Sequence, residues 1–425
     1  MEIHALFQAA LGLVPPWQVV GIDFKDPGGG EARGELVIRL DFPRGSRFAC
    51  PQCSSSCPVH DASEKRWRHL DFFQHVAHLQ ARVPRTNCPE HGVLLVSVPW
   101  AREGSGFTML FEAYVMLMAG EMPMRALARV VGEHDTRLWR LVMAHVQEAR
   151  TRVDMSHVEQ VAVDETSRAK RHQYVTLFAE PGAEQARVLF VADGASSQTF
   201  HDFAADLRFH GGDPEKIRDV CMDMSEAFQK GAAETVPQAA ITFDRFHVMK
   251  LVNDAVDQVR RRERRDWPEL KNTRYAWLSN PQHLSNDQRV VIDLLSSLHL
   301  KTAKAYQMRL VLQDLWSYRS AAWAEKYLTR WCAWVKRASR STTLLEENLL
   351  EPMARVARTL RANARGILNY FRHRLTTAVM EGINSLVQAA RNRARGYRNP
   401  ITFKTMIYLI AGRLSFQLPS LIHSK

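Results

Sequence analysis

Between residues 158 and 244, short apolar runs that read as strands alternate with stretches of helical periodicity, and most of the runs close on an aspartate. The runs span 158–164, 174–178, 188–193, 217–223 and 239–244, and their acids are Asp164, Asp193, Asp223 and Asp244. Helical spacing fills 199–207 and 226–235. This order predicts a mixed α/β layer. A carboxylate just past a buried strand sits at the sheet edge, where neighbouring strands bring several together. Converging carboxylates repel one another unless cations neutralise them, so the pattern calls for a hard divalent ion such as Mg²⁺, which keeps waters for phosphate substrates. Asp193 precedes Gly194 and reads as a turn residue. Asp164 and Asp223 are the stronger metal candidates. Late in the chain, Glu381 lies on or beside an apolar helix face marked by Val379, Ile383, Leu386 and Val387, where an acid is costly unless paired or metal-bound.

A second constraint lies nearer the amino terminus. Cys50-Pro51-Gln52-Cys53 and Cys88-Pro89-Glu90-His91 each set two ligands two residues apart, the spacing of a tight turn that aims both at one ion. Together Cys50, Cys53, Cys88 and His91 predict one closed, structural Zn²⁺ site in a ribbon of strands. Cys57 is an alternative ligand, and His60 competes with His91 for the fourth place. Cys221 and Cys332 stand alone in apolar surroundings and read as buried thiols. With 57 Lys+Arg against 45 Asp+Glu the formal charge is +12, which points to a polyanionic partner. The stretch Lys65-Arg66-Trp67-Arg68 mixes cations with an aromatic, so Arg66 and Arg68 are either DNA-backbone contacts or a solvated strand face. Residues 124–132 followed by 133–146 fit helix, glycine turn and helix, with Ala128 and Val131 at the crossing and Gly132 in the turn. The second helix is expected to present His134, Thr136, Arg137 and Arg140 to a DNA groove and to pack Leu138, Leu141 and Val142 inward.

From 248 to 372 strand signals disappear and a helical block follows, carrying Arg260-Arg261-Arg262-Glu263-Arg264-Arg265. Arg261 and Arg262 are candidate DNA guides, and Arg391, Arg393 and Arg395 candidate phosphate contacts beside Glu381. No run approaches the roughly 18 apolar residues of a membrane span. The amino terminus lacks the basic region of a secretory signal, so a cytoplasmic, nucleoid-associated location is expected.

These stretches stand in a distinctive order. They are Cys50–Cys53, Cys88-Pro89-Glu90-His91-Gly92-Val93, Val98-Pro99-Trp100-Ala101, Val163-Asp164-Glu165-Thr166-Ser167, Asp223-Met224-Ser225, Asp244-Arg245-Phe246-His247-Val248-Met249-Lys250-Leu251, and Glu381-Gly382-Ile383-Asn384-Ser385 with Arg395-Gly396-Tyr397-Arg398-Asn399. In that order the chain resembles the bacterial insertion-sequence transposases of the ISL-three family. The resemblance implies a multidomain α+β and α/β chain: a zinc ribbon and helix-turn-helix, then an RNase H-like mixed-sheet core interrupted by an all-α insertion. The expected layout is an N-terminal segment at 1–45, the ribbon at 46–105 and the helix-turn-helix at 106–152. The core would lie at 153–252 and 366–425, with the insertion at 253–365. The resemblance further implies Asp164, Asp223 and Glu381 as the catalytic DDE acids holding two Mg²⁺, for which Mn²⁺ can substitute, with Asp164 bridging both. Asp244 and His247 would be auxiliary. The expected activity is cleavage at terminal inverted repeats and strand transfer into target DNA, by a homo-oligomer on double-stranded DNA. The competing reading is a domesticated, catalytically silent, sequence-specific DNA-binding regulator, and a third is a stand-alone nuclease.

Overall fold

The computed structural model describes residues 3–25, 33–169, 173–181, 186–340, 348–373 and 378–420. The chain divides into two units, Met1–Arg150 with Leu414–Lys425, and Thr151–Arg413. The segment from Leu414, expected to close the catalytic core, thus groups with the first unit.

The first unit opens with α1 (Ile3–Ala10), then β1 (Gln18–Lys25), β2 (Glu35–Asp41), β3 (Arg47–Ala49), β4 (Ser56–Phe72), β5 (His75–Cys88) and β6 (Gly92–Leu95). The strands run in the order β1-β2-β5-β4-β3, with β6 on β5. Strands β1 and β2, from the residues expected to form an N-terminal segment, thus join the same sheet as β3, β4 and β5. Strand β2 buries Leu36, Val37 and Ile38 and pairs in parallel with β5, and Trp17, Leu36, Ile38 and Leu40 share one core with Phe48, Trp67, Leu79 and Trp100. Helices α2 (Met109–Glu121), α3 (Met124–Val131) and α4 (Asp135–Thr151) follow. Thr108 caps α2, its hydroxyl accepting from the Phe111 N–H. Gly132 ends α3 at φ +70°, the left-handed conformation that glycine adopts without Cβ strain. Leu127, Ala128 and Val131 of α3 and Leu138, Leu141 and Val142 of α4 are buried. The fully buried Glu112 of α2 accepts from Ser105 Oγ (2.6 Å) and Arg102 Nη2 (3.2 Å) and sits 2.7 Å from His145 Nε2 of α4.

The second unit holds β7 (Gln160–Ala169), β8 (Gln173–Glu180), β9 (Arg187–Asp193), β10 (Asp219–Met222) and β11 (Ala240–Phe243). They run in the order β11-β10-β7-β8-β9, so β7 is central. β7 pairs in parallel with β10 and β10 with β11, whereas the β7-β8-β9 meander is antiparallel. Helices α5 (Gln198–Phe209), α6 (Glu226–Thr235), α7 (Arg245–Glu263), α8 (Arg274–Leu278), α9 (Asn286–Ser297), α10 (Lys301–Gln313), α11 (Ala321–Ala338), α12 (Glu351–Ala362) and α13 (Ala364–His373) come next, α5 and α6 lying between strands. The chain ends with α14 (Ala378–Arg393) and α15 (Pro400–Ala411).

The two-residue strand period divides the sheet's side chains between two cores. Val161, Val163, Val220 and Met222 face α5, α6, α7 and the helical block, where Phe178 stacks on Phe203 at 4.5 Å. Ala162, Leu177, Val191 and Cys221 face α14 and α15, through Met380, Ile383, Val387, Phe403 and Ile407. The boundaries expected at 252/253 and 365/366 fall inside α7 and α13, because one helix carries its apolar stripe from the sheet into the block. Helix α13 lies close on β11: a Cβ on Gly366 would come within 2.5 Å of the Phe243 ring. Among the described residues, no helix is long and apolar enough to cross a membrane.

Candidate active site and metal centre

The acids are aligned by strand register. Gln160, Val161 and Ala162 of β7 lie opposite Asp219, Val220 and Cys221, and Met222 lies opposite Phe243. Carried on by one or two positions, the same register sets Asp223 level with Asp164 and Asp244 level with Asp223. Neighbouring strands are about 4.8 Å apart, so three carboxyl-bearing positions stand side by side across three strands. Asp223 and Asp244 follow the strand ends as expected. Asp164 differs: it lies inside β7, because Glu165, Thr166 and Ser167 continue pairing with β8. Asp193 is exposed beside Gly194 (φ +78°) and pairs with Lys404 at 2.8 Å, outside the acid row.

The side chain of Asp164 is held at both oxygens. Oδ1 accepts from the Glu165 N–H at 2.8 Å and faces His247 Nε2 at 3.7 Å, and Oδ2 accepts from Asn384 Nδ2 at 2.7 Å. Burial, assisted by the charges of Asp223 and Asp244, raises the Asp164 carboxyl. Glu165 is raised by burial and by Asp223 and Asp164. His247 is raised chiefly by its bond to Asp244, whose Oδ2 lies 3.4 Å from Nδ1, and then by Asp164. A raised Asp164 carboxyl beside the Asp223 and Asp244 positions, whose donors to a cation are carboxylate oxygens, fits a hard divalent ion.

Helix α14 meets β7 through a polar row at helical spacing. Asn384 bonds Asp164, Gln388 donates to Thr166 Oγ1 (2.6 Å) and the Ser167 carbonyl (3.0 Å), and Arg391 donates to the Ser167 carbonyl (2.6 Å). Glu381 falls on the same row one turn before Asn384 and is exposed, not set in the apolar stripe. The buried stripe is Met380, Ile383, Val387 and Ala390, and Leu386 is exposed. Asn384, quoted in the sequence only as part of the Glu381 stretch, and Gln388 were not named as site residues, although their three- and seven-residue spacing from Glu381 marks the row. Among the described residues, the cysteine set is the group whose ligand atoms lie within 4.8 Å of one another, and Asp164, Asp223 and Glu381 are not gathered to that distance.

The cysteine set is Cys50, Cys53, Cys88 and His91. The first pair lies on a turn closed by Ser54 N to Cys50 O and Cys50 N to Ser55 O, both 2.9 Å, and the second on the β5-β6 hairpin that pairs Cys88 with Gly92. Zn–S of about 2.3 Å and Zn–N of about 2.0 Å in a tetrahedron require edges of roughly 3.8 and 3.6 Å. Cys53 Sγ–Cys88 Sγ is 3.7 Å, Cys88 Sγ–His91 Nδ1 3.6 Å and Cys50 Sγ–His91 Nδ1 3.9 Å. Hydrogen bonding with Ser55 draws the Cys53 thiol down to about 6, toward the thiolate a metal needs. Cys57 is buried in β4 with its thiol on the Ser55 carbonyl, and His60 is exposed elsewhere on β4.

Arg68 is a correction. It is 3% exposed, donates to the carbonyls of Ala77 and Val131, pairs with Asp71 and lies over the Phe111 ring at 5.1 Å. A cation so enclosed holds α3 to the sheet and is turned away from solvent. Arg68→Ala is expected to lower stability by about 2–4 kcal/mol, since it strands buried partners. Thermal melting checks this; an Arg68→Ala protein that melts as wild type yet loses DNA would return Arg68 to the interface. Arg66 is paired with Glu35, and Arg137 with Glu133 while lying 4.6 Å over Phe107. Arg140 and Thr136 are exposed on α4, and His134 is exposed just before it. Arg261 is mostly exposed and pairs with Asp257 at 3.2 Å; Arg393 and Arg395 are exposed near the end of α14.

A cysteine-histidine knuckle, a helix-turn-helix and an acid-lined mixed sheet define a DNA-processing class of chain. Residues 46–91 match the zinc-finger of transposases IS204/IS1001/IS1096/IS1165, residues 96–146 the helix-turn-helix domain of transposase family ISL3, and residues 161–407 the ISL3-type DDE transposase family. The chain belongs to the ISL3 family of insertion-sequence transposases. It is 29% identical over 399 residues to the transposase for insertion sequence element IS1001 of Bordetella parapertussis, covering 90% of this chain and 93% of that protein. It is 25% identical over 434 residues to the transposase for IS1557 of Mycobacterium tuberculosis, covering 93% and 92%.

Proposed function

We propose that this chain cleaves DNA at the terminal inverted repeats of its element and joins the freed ends to target DNA, with Asp164, Asp223 and Glu381 as the catalytic acids. The observation that carries the reading is the register that sets Asp223 level with Asp164, together with the bond from α14 to Asp164 through Asn384. The strand order, a three-strand antiparallel meander extended by two parallel strands from its first member, supports an RNase H-like core. The helices between β11 and α13 then form its all-α insertion. The three acids would hold two Mg²⁺, or Mn²⁺, which supply charge at the attacking and departing oxygens of an in-line displacement. Asp164, fixed at both oxygens, would anchor the ions, and Asp244 and His247 would support it from one side. Arg393 and Arg395, exposed at the end of the Glu381 helix and its exit, would take phosphates beside the acids, with Arg391, which also holds the Ser167 carbonyl, behind them. Arg261 and Arg262 on α7 would guide flanking DNA. One Zn²⁺ on Cys50, Cys53, Cys88 and His91 would fix the ribbon.

The test is strand transfer of a pre-cut inverted-repeat end with Mg²⁺. Joining supports the proposal; cutting without joining indicates a nuclease, and binding alone a silent regulator. Recognition is assigned to α4. Arg140→Ala should lose about 1–3 kcal/mol of discrimination between terminal-repeat and random DNA, as base contacts carry specificity and phosphate contacts do not. Competition binding at fixed salt measures it, and unchanged discrimination would move the recognition surface away from Arg140.

A further inference from the structure

In the polar row that binds α14 to β7, Asn384 differs from its neighbours. Gln388 and Arg391 reach Thr166 and Ser167, further along the strand, whereas Asn384 touches an acid. Its Nδ2 donates to Asp164 Oδ2 at 2.7 Å, and its Oδ1 is buried without a hydrogen-bond partner. Exchanging the two ends of the amide does not relieve this, because it would set an oxygen against an ionised carboxylate, which only accepts. A buried amide oxygen left without a donor bears the desolvation penalty of an unmade bond. This one shares a planar carbon with the Nδ2 that touches Asp164, so it opens within one amide's width of that carboxylate. A donor is thus missing beside the acid row.

We propose that Asn384 is a positioning residue of the metal site: Nδ2 pins Asp164, and Oδ1 accepts a hydrogen bond from a water in the hydration shell of the divalent ion that Asp164 holds. The inference rests on the reading of Asp164 as a metal ligand. Mg²⁺ and Mn²⁺ sites built on carboxylates keep coordinated waters, whose protons need acceptors. Partners that orient such ligands typically change metal affinity by about 10–100-fold. Asp164 already receives the Glu165 N–H on its other oxygen, so Asn384 completes the restraint on its plane and leaves the remaining lone pairs for the ion.

The test is Mn²⁺ titration of the full chain without DNA, read from the electron paramagnetic resonance of free Mn²⁺. Asn384→Leu, of similar volume but without donor or acceptor, should weaken Mn²⁺ binding about 10–100-fold. Asn384→Ala should do the same, while Gln388→Ala, which loosens the same helix away from the acids, should bind Mn²⁺ as wild type does. In joining assays the Asn384 variants should need more Mn²⁺ but approach the wild-type rate at saturation. Unaltered Mn²⁺ binding in Asn384→Leu or Asn384→Ala overturns the proposal, as does equal weakening in Gln388→Ala. Failure of both Asn384 variants to melt cooperatively also overturns it, by making Asn384 a folding residue. Wild-type protein that binds no Mn²⁺ would instead remove the metal reading of Asp164 itself.

Discussion

Asp164→Asn, Asp223→Asn and Glu381→Gln are each expected to lower DNA cleavage and joining by roughly 10³-fold or more, while end binding and melting temperature stay near wild type. Each exchange keeps the shape of the side chain and removes the charge that would hold the cation. Asp164 has the strongest structural case: it is central in the sheet, raised by burial, and fixed from both β7 and α14. Acids that hold one centre act as a unit, so a double variant should be little worse than either single one. Asp244→Asn is the discriminating control. Asp244 is level with Asp223 but deeply buried, with His247 3.4 Å away, whereas Glu381 is exposed one turn before Asn384. Retained activity in Asp244→Asn leaves Glu381 as the third acid. If Asp244→Asn abolishes joining while Glu381→Gln stays active, Asp244 is the ligand and the helical block does not interrupt the catalytic set.

Short continuous apolar runs made the five strands of the second unit readable, because a sheet covered on both faces sends successive residues alternately into two cores. Val161 and Val163 on one core and Ala162 on the other are that alternation observed. The position of Asp164 was not readable in the same way. Hydropathy stops at Asp164, but Glu165, Thr166 and Ser167 extend the strand by polar pairing with β8 and α14, and hydropathy carries no sign of such partners. Arg68 failed for a related reason. A cation is expected at the surface unless something encloses it, and its enclosures, the Val131 carbonyl and the Phe111 ring, arrive from 63 and 43 residues further on. The parallel pairing of β2 with β5 is likewise a long-range fact, which no local pattern at residues 35–41 announces. The four zinc ligands were legible because their chemistry is local: two turns, two residues apart in each pair.

Replacing Cys50 and Cys88 together by serine is expected to remove bound zinc from a protein that otherwise carries about one ion per chain. Structural zinc binding in small fingers is worth about 10–16 kcal/mol, far more than the contacts available at this end of the ribbon. Around the site the buried cluster is Cys50 and Cys88 with the non-ligand Cys57, and Cys53 and Leu94 pack against them. The main core of the sheet, built on Trp17, Leu36, Leu79 and Trp100, is a separate cluster. Loss of zinc should therefore act locally. Amide hydrogen exchange should accelerate at 47–57 and 88–95, while 36–40 and 77–83 keep their protection. Cys57→Ser is the matching control: its thiol rests on the Ser55 carbonyl, so the variant should retain zinc. Full occupancy in the Cys50→Ser/Cys88→Ser protein would show that other side chains hold the ion. Zinc loss in Cys57→Ser would put Cys57 among the ligands, and uniform exchange after chelation would mean that the ion supports the whole sheet rather than its tip.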